Sequence, residues 1–425
     1  MLMQILLSAL VGLLIALPPM VPDAVQRKIA ELNNLKGGQD AVRQKARELL
    51  KDREAAKKLV EEAGERAKLD SKQFKYNAAY VLALVAFELE RYDVALRFFG
   101  ICEKQAWALK SRAKIAEAFD GQFSVLARQK KWADASELAR SLIEKLESDD
   151  IEDDIRILKP AVAEQWIIAL ARQGQVKQAL RLVDQLMEDY SPKAFFLELR
   201  GKVLQEAGQT EDAIKALLDA IEEMEGAERV NDSVKETFIN RMRYLLSNLY
   251  VEVSQVEKAA EQLKTLLEKF PDNPGFNNDL GYIWADHDMN LDEAEKLIRK
   301  AIELERKNRD ELRKRGDLLP EYDHDNAAYL DSLGWVLFKK KQYAEAKVPL
   351  LEAVKLKEGE NIEILDHLAD VHMALGEKAE AIAVWKRALE LDATSRRDLR
   401  RREEIIKKLK AAEGQQPEKS SDKPQ

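Results

Sequence analysis

The chain has a single cysteine, Cys102, in 425 residues. That count excludes an intrachain disulfide and a cysteine-built zinc site. Histidines number four, and His367 and His372 stand five apart. They fall on different sides of a helix, whereas zinc-binding H-E-x-x-H sets its two histidines one turn apart. Prolines number 11, few enough to leave long helices unbroken. No segment alternates apolar and polar residues for long enough to read as a strand. Basic excess is also missing: 69 Lys and Arg face 77 Asp and Glu, for a net charge of −8. A dedicated nucleic-acid surface would carry the opposite balance.

Chemical motifs are equally scarce. GKVLQEAG at Gly201 lacks the spacing and the hydroxyl of a phosphate loop. Ser332 in DSLGW has no G-x-S-x-G context. The acidic run Asp149, Asp150, Glu152, Asp153, Asp154 has no glycine at the sharp turn that a calcium loop requires. No catalytic constellation, cofactor site or metal site is expected.

What the chain does have is a rhythm of small residues. Gly334 lies inside the apolar stretch LDSLGWVLF, and Ala346 and Ala353 follow it by twelve and seven residues. Ala369, Ala381 and Ala388 repeat that spacing, as do Gly201, Ala213 and Ala220, and Ser247, Ala259 and Leu266. Gly281, Ala294 and Ala301 repeat it with one extra residue. Glycine inside a helix costs about 1 kcal/mol relative to alanine, so a bare backbone here must be compensated by packing. A period of 34 or 35 residues made of a helix, a short turn and a helix places the small residues where neighbouring helices cross closely.

These spacings, with the stretches LDSLGW, LDHLADVHMALG and AVWKRAL, resemble tetratricopeptide repeats, and in particular the C-terminal repeats of bacterial envelope-associated proteins of that superfamily. The resemblance implies an all-α, right-handed superhelical solenoid. About eight repeats are anchored at Ala95, Ala135, Ala179, Ala213, Ala259, Ala294, Ala346 and Ala381, within residues 74–393. Phe123 and Ile167 stand where the earlier repeats should carry a small residue. Residues 25–73 are expected as N-terminal capping helices, broken at KGGQD and near Lys68–Asp70, and 394–410 as a C-terminal capping helix with Thr394 or Ser395 as its N-cap. Residues 411–425 read as a disordered tail. Extra sequence near 304–326 should extend a second helix until Gly316 and Pro320 end it.

The resemblance also implies a function and a site. Such chains are mostly non-catalytic scaffolds that hold a protein or peptide against the first helices of successive repeats, here in assembly or secretion at the cell envelope; a cytoplasmic adaptor of co-chaperone type and an enzyme of unrecognised type are the alternatives. The positions facing that concave groove are Tyr244, Asn248, Asn278, Tyr282, Asp286, Asp331, Trp335, Phe338, Asp366 and Asp370. The lysine and arginine set by which related clamps grip a terminal carboxylate is missing from them. The expected ligand is therefore an extended or helical segment of aromatic or basic character.

Both ends of the chain carry further signals. Residues 1–22 contain no charge, and the apolar run from Ile5 to Leu17 is thirteen residues long. Helical, it would span roughly 20 Å, short of the ~30 Å hydrocarbon core. Residues 1–24 read as a secretory signal cleaved after Ala24, although no basic residue precedes the run; an uncleaved membrane anchor and a buried N-terminal helix are the alternatives. Export to the periplasm or envelope is the resulting expectation, with membrane association through the N-terminus if the segment is retained. Near the other end Arg396, Arg397, Arg400, Arg401, Arg402, Lys407, Lys408 and Lys410 form a basic run. It suits a solvated cap or a contact with polyanions such as acidic lipid. Leu399, Ile405, Ile406 and Leu409 should seal the final repeat.

Overall fold

The computed structural model describes residues 23–393 and 396–414, all in helices, turns and loops without a strand among them. The expected signal or anchor, the proposed N-caps Thr394 and Ser395, and all of the tail beyond Gly414 lie outside the described residues. The chain divides into two compact units, one ending at Leu182 and one beginning at Val183.

In the first unit, α1 (Ala24–Asn33), α2 (Gln39–Leu50) and α3 (Arg53–Leu69) precede the helix pair α4 (Tyr76–Glu88) and α5 (Tyr92–Ala108). All three touch that pair, α1 and α2 through α4 and α3 through both helices. They break at KGGQD and Asp70 as expected, and also at Lys51–Asp52, where no break is expected. A second pair, α6 (Arg112–Arg128) and α7 (Trp132–Leu146), follows, then the single turn α8 (Asp153–Arg156) and α9 (Lys159–Arg172). The acidic run around α8 is held back against the preceding pair: Glu152 and Asp154 pair with Lys110 and Arg112 at 2.7 and 2.8 Å. Cys102 is fully buried.

The division between the units falls inside α10 (Val176–Asp189). Beyond it come four pairs: α11 (Ala194–Ala207) with α12 (Thr210–Gly226), α13 (Asp232–Glu252) with α14 (Val256–Lys269), α15 (Pro274–Asp286) with α16 (Leu291–Arg315), and α17 (Ala327–Lys339) with α18 (Tyr343–Ala353). α19 (Ile362–Ala374) and α20 (Lys378–Glu390) form a last pair, and α21 (Arg396–Glu413) ends the described chain. α21 thus runs three residues past the expected start of the tail.

Local chemistry starts and stops these helices in the same way each time. The first helices α13, α15, α17 and α19 are each N-capped by an asparagine: Asn231, Asn273, Asn326 and Asn361. Its side-chain oxygen accepts a hydrogen bond from an otherwise orphaned backbone N–H of the first turn. Each of these helices then ends on a residue of positive φ: Ser254, Asp288, Lys341 and Gly376. The next backbone N–H folds back onto a carbonyl five residues earlier, as in Gln342 to Leu337 at 2.9 Å and Glu377 to His372 at 2.9 Å. This closure satisfies carbonyls that the helix end leaves open and reverses the chain within a few residues.

The small residues then set how closely the two helices of a pair approach. All eight anchor alanines lie on second helices and are fully buried. A Cβ added at Gly334 would collide with Leu350, standing 2.9 Å from its Cδ1. At Gly201 it would stand 2.7 Å from Leu217 Cδ2. At Gly281 it would meet Ile298 Cγ1 at 2.7 Å and the Ala294 carbonyl oxygen at 2.8 Å. Gly121 plays the same part in α6, where the ring of Phe99 fills the space a Cβ would need.

The extra sequence after Leu304 lengthens α16 to Arg315, and Gly316, at φ 72°, ends it. The returning loop runs back along α16, with Arg306 and Arg309 paired to Asp325 and Arg313 to Asp323. Arg309 is the inner member, with its side chain only 11% exposed.

These contacts make the glycines measurable. Gly334→Ala and Gly281→Ala should each destabilise the chain by about 1–3 kcal/mol through overpacking. Gly281→Ala should be the worse of the two, because a backbone carbonyl cannot turn aside as the Leu350 side chain can. Urea unfolding of the two variants checks both the sign and the order.

Candidate functional site: a polar face on successive first helices

α15 lies beside α17, and α17 beside α19. Tyr282 on α15 nevertheless donates its hydroxyl to Glu363 Oε1 on α19 at 2.7 Å, past the intervening α17. A side chain can reach the second neighbour only if the surface curves inward. The face formed by these three first helices is therefore concave.

Its floor is aromatic and polar. The Trp335 ring is stacked between Phe338, with centroids 4.9 Å apart, and His367, at 3.9 Å. Its indole N–H donates to Asp286 Oδ1 at 3.0 Å. His367 Nδ1 meets Asp331 Oδ1 at 2.8 Å. Asp366 accepts from Trp385 Nε1 at 2.9 Å and from Lys408 Nζ at 2.8 and 2.9 Å, with Arg401 at 3.4 Å. Asp370 accepts from Lys408 Nζ at 2.6 Å. One repeat earlier, Tyr244 donates to Asp279 Oδ2 at 2.9 Å, and Asn248 Nδ2 bonds the Tyr244 carbonyl at 3.1 Å. Asn278 Nδ2 lies 3.3 Å from Asp279 Oδ1.

The ten expected groove residues thus separate into two groups. Tyr244, Tyr282, Asp286, Phe338 and Asp370 are half-buried, and Asn248 is exposed. Asn278, Asp331 and Trp335 are buried, and Asp366 is wholly so. For these four, an open partner-facing position is corrected. A position on the inner face of a curved array is overhung by the neighbouring helices, so side chains there bond one another.

Several members of the network were not expected from sequence. Glu363, Asp279 and Trp385 were not singled out, and His367 was weighed only against a metal motif. Among the described residues no group of three or more His, Cys, Asp or Glu side chains is arranged to hold a metal ion. The basic run turns its Arg397, Arg401 and Lys408 toward Glu363, Asp366 and Asp370. The signal was present as matching periodicity. Glu363, Asp366 and Asp370 lie on one face of α19, and Arg397, Arg401 and Lys408 recur at i, i+4 and i+11 along one face of α21.

The sealing role expected of four apolar residues on α21 belongs to fewer of them. Ile405 is fully buried, and Ala412 and Leu409 pack beside it against Trp385 and Ala381. Leu399 and Ile406 are 54% and 37% exposed. The i, i+4, i+7 face of Ile405, Leu409 and Ala412 points inward, and the other two fall off it.

Burial and charge act against each other in this network. Burial pulls the His367 imidazole down, but the charges of Asp331 and Glu363 outweigh it and leave the ring above its usual value. Burial pushes the Glu363 carboxyl up, and Arg397, His367 and Arg401 bring it below the usual range. Asp370 is raised by burial and by the neighbouring Asp366, despite Lys408.

Two expectations follow. Trp335→Ala should destabilise the chain by about 3–5 kcal/mol, because it empties a stacked and buried position; a thermal melt reads this directly. A raised imidazole contributes stability below the unfolded value, near 6.5, and loses it as pH rises through the higher folded value. Wild type should therefore lose more stability than Asp331→Asn between about pH 6 and about pH 8 in paired urea titrations.

Comparison with known proteins agrees with this architecture. Tetratricopeptide-repeat family patterns match residues 244–309 and 362–395. A TPR repeat-containing protein of Pseudomonas aeruginosa is 26% identical over 189 residues, covering 44% of this chain and 27% of that one. The chain therefore spans about a quarter of the length of that relative. Among solved structures, a tetratricopeptide repeat protein from Parabacteroides merdae aligns with 68% of this chain and 98% of its own, at 14% identity and a TM-score of 0.45. A thermophilic TPR protein of Thermus thermophilus aligns with 50% of this chain and 98% of its own, at 18% identity and a TM-score of 0.37. Helix pairs closed on small residues, and repeat patterns matched in two separate stretches, show that the chain carries tetratricopeptide repeats, which generally serve as protein-interaction scaffolds.

Proposed function

We propose that the chain is a non-catalytic scaffold that holds a protein or peptide segment on the concave face of its first helices, in assembly or secretion at a bacterial cell envelope. The observation that carries the binding reading is the Tyr282–Glu363 contact across α17, because it makes the face a groove rather than a flat wall. Tyr244, Tyr282 and Phe338 keep part of their rings open there, beside the exposed Asn248. Half-open aromatics next to a polar rim are the composition that protein interfaces favour. Carboxylates on the same face select a basic or aromatic segment over an acidic one.

The envelope setting is supported by residues 1–22, which carry no charge and include an apolar run of the length of a secretory signal. Among the described residues no helix is long and apolar enough to cross a membrane.

Affinity capture from envelope fractions tests both halves of this reading. Asn248→Arg changes one exposed amide at the rim, so the melt should barely move. Partner recovery should fall by about tenfold, as loss of a well-placed interface contact does. Undiminished capture would remove the groove from consideration, and an intact Met1 on protein from the soluble cytosol would remove export.

A further inference from the structure

We propose that the first turns of α21 are an internal stand-in for the partner. Arg397 and Arg401 hold the concave site of Tyr282, Glu363 and Asp366 in cis, and a partner displaces them with an arginine pair on a helix of its own. This rests on the concave-face reading above and names the chemistry of the ligand.

α21 is attached in two unlike ways. Its C-terminal half is fastened by apolar contact, through Ile405, Leu409 and Ala412 against the last pair, and by Lys408 on Asp366 and Asp370. Its N-terminal half has no such hold: Leu399 is 54% exposed, and the contacts there are made by guanidinium groups. Arg397 lies over the Tyr282 ring at 5.9 Å from its centroid, stands 3.3 Å from its hydroxyl and pairs with Glu363. Arg401 stands 2.9 Å from the same Glu363 oxygen and 3.4 Å from Asp366. One carboxylate oxygen thus receives Tyr282 and two arginines.

A simple end cap would not be built this way. Closing the array requires contact with α19 and α20, the last pair, and the C-terminal half of α21 already supplies it. Tyr282 belongs to α15, two pairs back. The reach of Arg397 to it follows the groove, where a bound segment would lie. The floor of the site also keeps a polar atom in reserve. His367 is completely buried, and its Nε2 has no hydrogen-bond partner. Asp331, Glu363 and Arg401 all act on this ring, and Asp370 interacts with it as well. One guanidinium lies over the Tyr282 ring, and the other spans Glu363 and Asp366 through separate nitrogens, a geometry that a single ammonium does not reproduce, so the site selects arginine.

The hold is also one that can be released. The Arg397 side chain is 59% exposed in its pair with Glu363. Ion pairs that open to solvent are weak and screened by salt, whereas the apolar half is not. Arg397 can therefore leave readily, while Arg401, only 16% exposed against Glu363 and Asp366, leaves when a partner's guanidinium takes its place and Ile405 stays seated.

The probe is a fluorescein-labelled peptide of residues 396–413, titrated into the full chain. The Arg397→Glu/Arg401→Glu chain, with its own occupant repelled, should bind the peptide about tenfold more tightly than wild type does, since a masked site loses apparent affinity in proportion to its occupancy. Adding Glu363→Gln to that chain, or replacing the two arginines of the peptide by glutamine, should abolish the gain. Equal binding to wild type and variant, or a gain that survives Glu363→Gln, would overturn the inference. Hydrogen exchange on wild type needs no variant: amides of residues 397–404 should exchange faster at high salt than at low, and those of 405–412 should not. Uniform protection at both salts would make α21 a fixed cap and also overturn it. The two readings separate cleanly. If groove substitutions abolish partner capture while the peptide shows no gain, the scaffold reading stands and this one fails. If the peptide gains but capture ignores the groove, the site takes arginine and the partner binds elsewhere.

Discussion

Close approach of two helix backbones at a residue with little or no side chain is the constraint from which the rest of this structure follows. With a glycine at 201, 281 or 334, a leucine or isoleucine of the second helix can lie in the space where a Cβ would stand. The second helix answers with alanines that leave no exposed surface. Helices held this close transmit their crossing geometry to the next pair, because each pair's core is completed by its neighbour. The asparagine caps and positive-φ turns fix where each helix begins and ends, so that the small residues meet in register. Apolar burial, backbone closure and capping thus agree on one arrangement, which is the condition under which a repeat array folds to a single state.

Curvature then decides what happens to polar side chains. On a flat surface Asp331, Asp366 and Trp335 would face water. On the inside of a curve they are overhung, and each must find a partner within the protein or remain costly. The network found here supplies those partners: Trp335 to Asp286, His367 to Asp331, Trp385 and Lys408 to Asp366. Buried charges of this kind add little net stability compared with apolar packing, yet losing one partner leaves the other uncompensated. Their contribution is to fix the shape of the face. The residues left half-open at its rim, Tyr244, Tyr282 and Phe338, are then presented at defined positions.

The last helix occupies a place in this scheme that composition alone would not assign. Its basic residues balance the carboxylates of α19, and its apolar face is only one turn wide at a time. A helix so polar docks through charge along its length, from Arg397 to Lys408, and through three apolar residues toward its C-terminal end. The same division of labour appears on a smaller scale in the loop after α16, where Arg306, Arg309 and Arg313 fold a charged extension back onto itself through Asp323 and Asp325. Asp325 is held at about 2 by Arg306 and Arg309 against the opposing effect of burial.

The sequence by itself determined the all-α character, the helix pairs, the small residues at their crossings and the end of α16 at Gly316. Each of these rests on interactions among residues close in the chain, which leave a period behind them. Which positions of α13, α15, α17 and α19 should face inward came from the resemblance to the repeat class and not from the spacing itself. Only the tertiary structure decided which inward positions are open. Whether Asp366 meets a partner or Lys408 depends on a contact across 42 residues, and the Tyr282–Arg397 contact spans 115. Tight curvature brings such residues together, and curvature is the sum of many small crossing angles that no local pattern records.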